Sequence, residues 1–351
     1  MHITVYRHSL LNRGGDKVIA QYANYLLRQG HVVTLYTNEL NSLFELAPNI
    51  TVKRISWKGK IGSLAYGILN RLEGDVIVAD IIAMALCLSV RHSRRIFYFA
   101  QADDTQYYSS PFLKQLIRLF YTIGLKQLKI PCAAVSSGLQ TALRNYSTHV
   151  QVIPNGIDLT AFHRSPSQEL QAKKQGRKTI MILARDDHRK GLDTALNVLR
   201  ELPRFFAEDK IEVWTFNEEV IPGQIPYKVI NWGYPPEEKL VELLSTADLF
   251  LYPSRHEGFG LLVLEAMACG CPVVTTKSVP IVTHLRNAWV SNIDDRVHLG
   301  EGVSRILTNP EFAQGLVQGG FQLARQYNIE NSYRGFETIL INAVRSCRPP
   351  S

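Results

Sequence analysis

The sequence lacks any apolar run that approaches the roughly 18 to 20 residues of a membrane-spanning helix. Its first residues, Met1–His8, begin with a strand pattern and contain no secretory apolar region. Cysteine is scarce. The five cysteines are odd in number and lie mostly in apolar runs, as buried thiols of a reducing compartment do. These absences argue against a transmembrane protein and a disulfide-stabilised secreted domain, so we expect a cytoplasmic protein.

Several ligand-binding motifs are also missing. Gly14 and Gly15 follow the first predicted strand without the Gly-x-Gly-x-x-Gly spacing of a dinucleotide site. They form either a simple turn or a loop whose backbone N–H groups meet a ligand. Cys269 and Cys271 lack the partners of a zinc site. The net charge of +8 favours anionic partners in general. Because no nucleic-acid-binding motif is present, we expect no nucleic-acid partner, and we expect no cofactor.

The chain of 351 residues is longer than a single hydrophobic core usually supports, which predicts two domains. Short apolar runs alternate with helix-period segments twice, and this pattern is typical of α/β units with parallel sheets. The turn Pro154-Asn155-Gly156 interrupts the pattern and marks the boundary. The predicted strands are residues 2–6, 32–36, 76–79, 96–99 and 132–135 in the first domain and 180–183, 211–215, 249–252 and 272–274 in the second.

Two carboxylates seven residues apart, Glu257 and Glu265, enclose the most informative segment of the chain. Gly258, Phe259 and Gly260 separate them at the predicted start of an apolar helix. Backbone N–H groups at a helix N-terminus form an anion site. The carboxylates are too far apart along one helix to act as a hydrolase pair. A carboxylate, an anion site and a second carboxylate in this order match the sugar, the diphosphate and the ribose of a nucleotide sugar. Taken alone, Glu257 is equally a solvated loop residue, and Glu265 is equally a polar residue that interrupts the apolar face of an amphipathic helix.

A second cluster of charge lies upstream, where a predicted strand leads into a loop and then a helix over residues 192–199. Arg185 begins this loop, and Lys190 ends it. The planar fork of Arg185 and the point charge of Lys190 suit a leaving nucleoside diphosphate. Read in isolation, the same loop is a solvated basic turn.

The segment Pro253–Val274 resembles the signature of the family 4 glycosyltransferases. This resemblance implies the GT-B fold, in which two Rossmann-like, doubly wound α/β domains face a central cleft. It implies an acceptor-binding domain over residues 1–155, a nucleotide-sugar-binding domain over 156–330, and a C-terminal helix over 331–351 that crosses back to the first domain. By the same resemblance, Glu257 holds hydroxyls of the transferred sugar and Glu265 holds the ribose.

The resemblance also implies an activity. We expect a retaining enzyme that moves a hexose-type sugar from a nucleotide-sugar donor to an acceptor hydroxyl, in polysaccharide or glycolipid assembly. No metal is expected, because Arg185 and Lys190 supply the positive charge and the Asp-x-Asp of the other common glycosyltransferase fold is absent. A nucleotide-sugar epimerase on the same fold, or a non-catalytic nucleotide-sugar-binding subunit, is the alternative.

The acceptor side carries weaker signals. Asp103 and Asp104 follow the strand at 96–99 and are candidates to orient or deprotonate an acceptor hydroxyl, with Gln101 beside them. Alternatively, the two aspartates begin a loop or cap a helix. For the nucleobase, the resemblance points to the turn with Gly233 and Tyr234, where the neighbouring Trp232 is either a contact or a core residue.

The segment Phe112–Lys129 has an amphipathic helical pattern. Its apolar face comprises Leu113, Leu116, Ile117, Phe120 and Ile123, and Lys114 and Arg118 lie opposite. Such a helix either packs on its own domain or contacts an anionic membrane as a peripheral anchor close to a lipid-linked acceptor. A location at the inner membrane face is therefore a second expectation.

Overall fold

The computed structural model describes residues 1–41, 44–204, 206–218 and 225–347. Residues 1–155, together with the C-terminal segment from residue 330, form one compact unit, and residues 156–329 form the other. The last four residues of the predicted C-terminal segment, 348–351, lie outside the described residues.

The first unit contains a seven-stranded parallel sheet with the order β3-β2-β1-β4-β5-β6-β7. Its inner strands are apolar and buried on both faces, as expected of a parallel sheet that is covered by helices. The strands are β1 His2–Leu10, β2 Val32–Leu40, β3 Thr51–Arg54, β4 Val76–Ala79, β5 Ile96–Ala100, β6 Cys132–Ala134 and β7 Val150–Val152. The helices are α1 Gly14–Arg28, α2 Gly59–Leu69, α3 Ile82–His92, α4 Pro111–Tyr121 and α5 Ser137–Leu143, with a 3-10 helix at Asp104–Tyr107 and a π-helix at Thr122–Gln127.

The helices of the first unit lie on two faces of its sheet. The chain moves from β1 to β2 in one direction and from β4 to β7 in the other. Since parallel crossovers are right-handed, α1 covers one face, and α2 to α5 cover the opposite face. Contacts between α2 and α3 and between α3 and α4 confirm that these helices form one layer.

The second unit contains a six-stranded parallel sheet with the order β10-β9-β8-β11-β12-β13. Its core consists of buried aliphatic residues from the sheet and from the helices on it, including Ile182, Leu199, Leu251 and Leu299. The strands are β8 Lys178–Ala184, β9 Ile211–Asn217, β10 Lys228–Asn231, β11 Leu249–Tyr252, β12 Val273–Thr276 and β13 Trp289–Ser291. The helices are α6 Gln168–Lys174, α7 Leu192–Glu201, α8 Glu237–Thr246, α9 Leu261–Ala268, α10 Arg296–Thr308 and α11 Pro310–Gln326, with 3-10 turns at His188–Lys190, Leu202–Arg204 and Glu208–Lys210.

The last helix, α12 Ile329–Cys347, packs on α1 of the first unit through aromatic side chains. The rings of Phe336 and Tyr22 stack with centroids 4.5 Å apart, and those of Tyr333 and Tyr25 stack at 4.7 Å. Glu337 accepts hydrogen bonds from Tyr25 Oη and pairs with the imidazole of His31. This side of the sheet therefore carries α1 and α12 together.

The predicted strands all exist, and most are longer than the apolar runs that predicted them. Four further strands, β3, β7, β10 and β13, have no counterpart in the prediction. Gly14 and Gly15 are also placed differently, since they are the first two residues of α1 and not part of a turn before it.

The predicted apolar face of the segment 112–129 is only partly correct. Ile117 is buried, but Leu113 is exposed, and the chain leaves the α-helical period at Thr122 to form a π-helix. The buried side is therefore set by Ile117, Tyr121 and Leu125. None of the helices in the described part of the chain combines the length and the apolar character needed to cross a bilayer.

Candidate functional site

The main candidate site lies where the strand order of the second sheet reverses. From β8 the chain proceeds to β9 and β10 on one side, and β11 begins the other side. In open α/β sheets, ligands bind outside the carboxyl ends of the strands at such a switch point. The loop after β8 begins with Arg185 and ends with Lys190, and the loop after β11 contains Glu257. Both sequence-predicted clusters therefore meet at one edge.

An ion pair joins the two loops. Lys190 Nζ lies 2.7 Å from Glu257 Oε1, although the residues are 67 positions apart in the chain. Oε1 also accepts hydrogen bonds from Tyr252 Oη and from Ser254 Oγ. Because all three donors converge on Oε1, the other oxygen, Oε2, has no donor among the described residues. Glu257 thus has one oxygen fixed by the protein and one available for a ligand.

The charge on Glu257 is maintained by its partners. Burial raises the pKa of this carboxyl, but the charge of Lys190 and the hydrogen bonds from Lys190, Tyr252 and Ser254 outweigh burial and hold the pKa below its ordinary value. The pKa of Tyr252 is raised well above its ordinary value by burial and by the neighbouring Glu257. At neutral pH the site therefore contains a carboxylate and a neutral phenol that donates to it.

Backbone and side-chain hydrogen bonds fasten the two loops together. The carbonyl of Arg189 accepts from Arg255 N at 2.7 Å and from Ser254 Oγ at 2.9 Å. The guanidinium of Arg255 is bound by both carboxylate oxygens of Asp193, each at 2.7 Å, and its Nε lies 2.8 Å from Asp294. A bidentate pair of this kind fixes orientation as well as distance. Lys190 is consequently held in register with Glu257.

Two glycines allow backbone approaches that a side chain would block. Gly191 follows Lys190 with φ of +69°, and a Cβ there would lie 2.1 Å from the carbonyl oxygen of Pro253. Gly260 precedes α9 with φ of +97°, and its Cβ would lie 2.5 Å from Val279 Cγ1. Both positions require left-handed backbone and close packing, which only glycine combines without strain.

The start of α9 carries the predicted anion site. Gly260 is the N-cap residue, and no side chain caps the helix. The backbone N–H groups of Phe259 and Gly260 have no acceptor in the part of the chain that the structure describes. Phe259 is buried and packs edge-on against Tyr327 at 5.2 Å. Glu265 lies one turn into α9 and is buried, and Gly258 lies between Glu257 and Phe259. The segment between the two glutamates therefore contains a helix N-terminus that no side chain caps.

Arg185 differs from Lys190 in having no carboxylate partner among the described residues. It lies close enough to Tyr252 for its charge to lower the pKa of that phenol. Arg185 is thus a cation at the switch point whose charge no carboxylate of the described residues neutralises.

The turn that was predicted to meet a nucleobase follows β10, two strands away from β8. Gly233 has φ of +59°, and its carbonyl accepts from Asn217 N at the end of β9. Tyr234 is exposed, whereas Trp232 packs edge-on against Trp214 at 5.7 Å. The structure therefore places Trp232 against the core and leaves Tyr234 open to solvent at the carboxyl edge.

The first unit has its own switch point, between β1 and β4, and a polar cluster occupies it. Arg7 on β1 forms ion pairs with Asp16 on α1 and with Asp80, which follows β4. Gln101, which follows β5, donates to Asp80 Oδ2 at 3.2 Å. A Cβ on Gly15 would lie 3.1 Å from Gln101 Oε1. Gly15 therefore contacts this cluster, and the N-terminus of α1 contributes to it.

Asp80 is the unusual member of the cluster. It is buried, and its Oδ1 has no hydrogen-bond partner among the described residues. Burial raises the pKa of Asp80, Arg7 lowers it, and the nearby Asp16 raises it, so that the pKa ends above its ordinary value. Asp16, by contrast, has a structural role, because its Oδ2 accepts from the backbone N–H groups of Leu11 and Arg13.

The contacts of Asp103 and Asp104 match the helix-cap alternative. Asp103 caps the 3-10 helix by accepting from Thr105 N at 3.0 Å. Asp104 is buried, accepts from Ile82 N at 2.7 Å, and has its pKa raised by burial to about 8. An acceptor-side role for the two aspartates stays a prediction, and Asp80 is a further carboxylate at this edge.

Sequence reasoning missed Tyr252, Ser254 and Arg255 in the second unit and Arg7 and Asp80 in the first. The only available signal was position, since each of the five lies within or next to a strand that ends at a switch point. No group of three or more His, Cys, Asp or Glu side chains is arranged to hold a metal ion in the described ranges.

Comparison with known proteins gives a consistent result. Residues 223–322 match the family described as "Glycosyl transferases group 1". The chain is 23% identical over 275 residues to the 2-deoxystreptamine N-acetyl-D-glucosaminyltransferase of Niallia circulans, which covers 72% of this chain and 68% of that protein. Other curated relatives are matched over between 26% and 66% of their own lengths.

Solved structures resemble the chain over nearly its whole length. Sucrose-phosphate synthase from Thermosynechococcus elongatus superposes with a TM-score of 0.81 at 17% identity, covering 99% of this chain and 100% of that one. Anabaena Alr3699/HepE, solved in complex with UDP and glucose, superposes with a TM-score of 0.76 at 18% identity, covering 97% and 99%. These likenesses confirm the predicted two-domain α/β architecture.

We predict that Gly191→Ala separates the two loops of the site. Gly176→Ala is the matched control, because Gly176 also has positive φ, +80°, but no atom within 4 Å of its Cβ position. The control should lose about 1 kcal/mol of unfolding free energy from backbone strain alone. Gly191→Ala should lose clearly more and should also lose ligand-dependent stabilisation. Denaturant unfolding of both variants measures the difference, and equal losses would contradict the close approach to Pro253.

Proposed function

We propose that this chain, which belongs to the family 4 glycosyltransferases of the GT-B fold, moves a hexose-type sugar from a nucleotide-sugar donor to an acceptor hydroxyl. Transfer proceeds with retention of the anomeric configuration. The acceptor is a sugar or a lipid-linked sugar in polysaccharide or glycolipid assembly, and the lipid-linked form entails peripheral contact with a membrane. One observation carries the proposal: Lys190 and Glu257 form an ion pair across the switch point of the second unit, and one oxygen of Glu257 stays open.

The second unit supplies groups for each part of the donor. Glu257 Oε2 accepts hydrogen bonds from hydroxyls of the transferred sugar. The diphosphate is met by Arg185, by Lys190 and by the N-terminus of α9 with its Gly258–Gly260 segment. Glu265 holds the ribose, and the base lies against the turn with Gly233 and Tyr234. Supporting this assignment, the Anabaena protein with the same fold was solved with UDP and glucose.

Catalysis follows from where charge grows. As the bond between the sugar and the diphosphate breaks, negative charge accumulates on the leaving phosphate oxygens. Fixed positive groups stabilise this charge more strongly in the transition state than in the bound donor, which lowers the barrier. Arg185 suits this role because it has no carboxylate partner in the part of the chain that the structure describes. Lys190 and Arg185 together supply the charge that a divalent metal provides in other transferases, so we propose metal-independent transfer.

The first unit supplies the acceptor site. The buried Oδ1 of Asp80 has no partner among the described residues, and an acceptor hydroxyl would provide the missing donor. Arg7 contacts the other oxygen of Asp80, and Gln101 and Gly15, in the first turn of α1, lie beside them. This cluster joins Asp103 and Asp104 as an acceptor-side candidate.

Incubation of the protein with UDP-, GDP- and dTDP-sugars and a set of sugar acceptors tests the function. Transfer should release the nucleoside diphosphate, and the product linkage should keep the anomeric configuration of the donor by NMR. Isomerised donor in the absence of any acceptor would instead establish the epimerase alternative. Donor binding without any turnover would establish the non-catalytic one.

Arg185→Ala should slow transfer by roughly 10²- to 10³-fold, because one stabilising donor to the leaving group is removed. Stability should be unchanged, since Arg185 makes no ion pair among the described residues. Lys190→Ala should slow transfer similarly but should also destabilise the fold by about 3 kcal/mol, because it removes the charge that balances the largely buried Glu257 carboxylate. The control is Lys210→Ala, which replaces an exposed lysine at the amino end of β9, away from the carboxyl ends of the strands. Steady-state kinetics with denaturant unfolding decide, and full turnover in Arg185→Ala would remove the leaving-group role.

Transfer should persist in excess EDTA, because the positive charge at the diphosphate comes from side chains. The measurement is the initial rate before and after chelation, with Mg²⁺ added back. A rate that falls in EDTA and returns with Mg²⁺ would contradict the metal-independent mechanism.

Asp80→Asn should raise the KM for the acceptor at least tenfold, because the amide disturbs the bond to Arg7 and replaces an acceptor oxygen by a donor. The KM for the donor should stay unchanged, since the donor groups belong to the other unit. The control is Asp75→Asn, an exposed residue just before the opposite end of β4 whose carboxylate accepts from His2 N at 2.9 Å. An unchanged acceptor KM in Asp80→Asn would exclude the cluster from acceptor binding.

A further inference from the structure

The net positive charge of the chain comes from one unit. Residues 1–155 and 330–351 contain 20 Lys and Arg against 10 Asp and Glu, whereas residues 156–329 contain 19 against 21. The net charge is therefore +10 in the first unit and −2 in the second. The proposed donor groups lie in the second unit, so binding of a nucleotide sugar does not account for the excess of positive charge in the first unit.

Within the first unit, the charge is concentrated on one layer of helices. Residues 57–72, 81–102 and 105–157 include α2, α3, α4, the π-helix and α5, and they contain no Asp or Glu. They contain eleven basic residues, of which nine are exposed. The nine are Lys58, Lys60, Arg71, Arg91, Arg94, Arg118, Lys126, Lys129 and Arg144.

The same layer exposes large apolar side chains. Ile61 on α2 is 83% exposed, Phe112 on α4 is 74% exposed, and Val90 on α3 is 67% exposed. Leu69, Leu113, Leu119 and Leu128 are exposed as well. Scattered apolar residues are ordinary on a protein surface, but here they recur on three neighbouring helices among basic residues. We define the basic apolar layer as the exposed basic and apolar residues of the segments 58–71, 90–94 and 112–129, which belong to or flank the neighbouring helices α2, α3 and α4.

We propose that the basic apolar layer docks on an anionic lipid bilayer. Lysine and arginine side chains are attracted to acidic headgroups, and the apolar tips insert into the boundary between headgroups and acyl chains. The layer involves three helices, so it is larger than the single helix that the sequence pattern indicated, and in α4 the lipid-facing side includes Leu113 and Leu119 and not Ile117. Binding requires no turnover and holds whether or not transfer is observed.

Two other occupants fit less well. A second copy of the chain in a two-fold dimer would place this surface against itself and bring like charges together with no acid to offset them. A nucleic acid would satisfy the basic residues but would leave Ile61, Val90 and Phe112 in contact with phosphates and water. The combination of cationic and aliphatic groups is the one that an anionic bilayer matches.

Sedimentation with vesicles of phosphatidylcholine alone and of phosphatidylcholine mixed with phosphatidylglycerol tests the proposal. The protein should bind only the mixed vesicles, and high salt should weaken binding. The double variant Lys58→Gln/Lys60→Gln should lose roughly fivefold in affinity for each lysine removed. Phe112→Ser should lose roughly tenfold through the lost apolar insertion.

The matched control is the double variant Arg296→Gln/Val297→Ser, which removes an exposed basic residue and an exposed apolar residue from α10 of the second unit. It should bind mixed vesicles like the wild-type protein, and unchanged thermal unfolding should show that all variants are folded. Absence of binding at low salt would overturn the proposal, as would equal loss in the control. Tight binding to polyuridylate that Phe112→Ser does not weaken would assign the surface to nucleic acid instead.

Discussion

The ion pair between Lys190 and Glu257 is the interaction on which the proposed donor site depends. It joins the loops that follow β8 and β11, the two neighbouring strands at which the strand order of the sheet reverses. Burial alone would raise the pKa of the Glu257 carboxyl, and the charge of Lys190 helps to hold that pKa below its ordinary value. The pair therefore keeps a carboxylate and a lysine side by side at the switch point, where the proposed donor needs a hydrogen-bond acceptor and a cation. Gly191 and the guanidinium group of Arg255 support this pair. Gly191 allows the loop after β8 to approach the loop after β11, and Arg255 holds the two loops together through hydrogen bonds.

The two units use the same physical solution at their switch points. In the first, Arg7 on β1 forms an ion pair with Asp80, which follows the neighbouring strand β4. In the second, Lys190 in the loop after β8 forms an ion pair with Glu257 in the loop after the neighbouring strand β11. In both, a cation contacts one oxygen of the carboxylate, and the other oxygen has no donor among the described residues. The two cations are held differently. Arg7 forms ion pairs with Asp80 and Asp16, whereas Lys190 forms an ion pair with Glu257 and lies near enough to Asp187 to lower the pKa of that carboxyl.

Much of the fold could be predicted from the sequence, and the failures have a common cause. The predicted strands are the inner ones, which are buried on both faces and read as apolar runs. The four missed strands, β3, β7, β10 and β13, are the outermost strands of the two sheets. Edge strands are short and partly polar, as β3 with Lys53 and Arg54 illustrates, so their sequences carry no continuous apolar signal. The prediction of a glycosyltransferase agrees with the family match over residues 223–322, because it used a long motif whose residues are contiguous. Arg255, Arg7 and Asp80 escaped prediction because their partners lie in distant parts of the chain. Tyr252 and Ser254 escaped prediction because their hydrogen bonds to Glu257 depend on how the loop after β11 folds.

The charge arrangement around Glu257 bears on how the proposed donor would enter the site. Lys190 pairs with Glu257, and Arg185 has no carboxylate partner among the described residues. Under the proposed function, a nucleoside diphosphate would compete with Glu257 for Lys190, because it carries more negative charge than one carboxylate. The hydrogen bonds from Tyr252 and Ser254 to Glu257 Oε1 do not involve Lys190, so they would hold the carboxylate in place while Oε2 meets hydroxyls of the sugar.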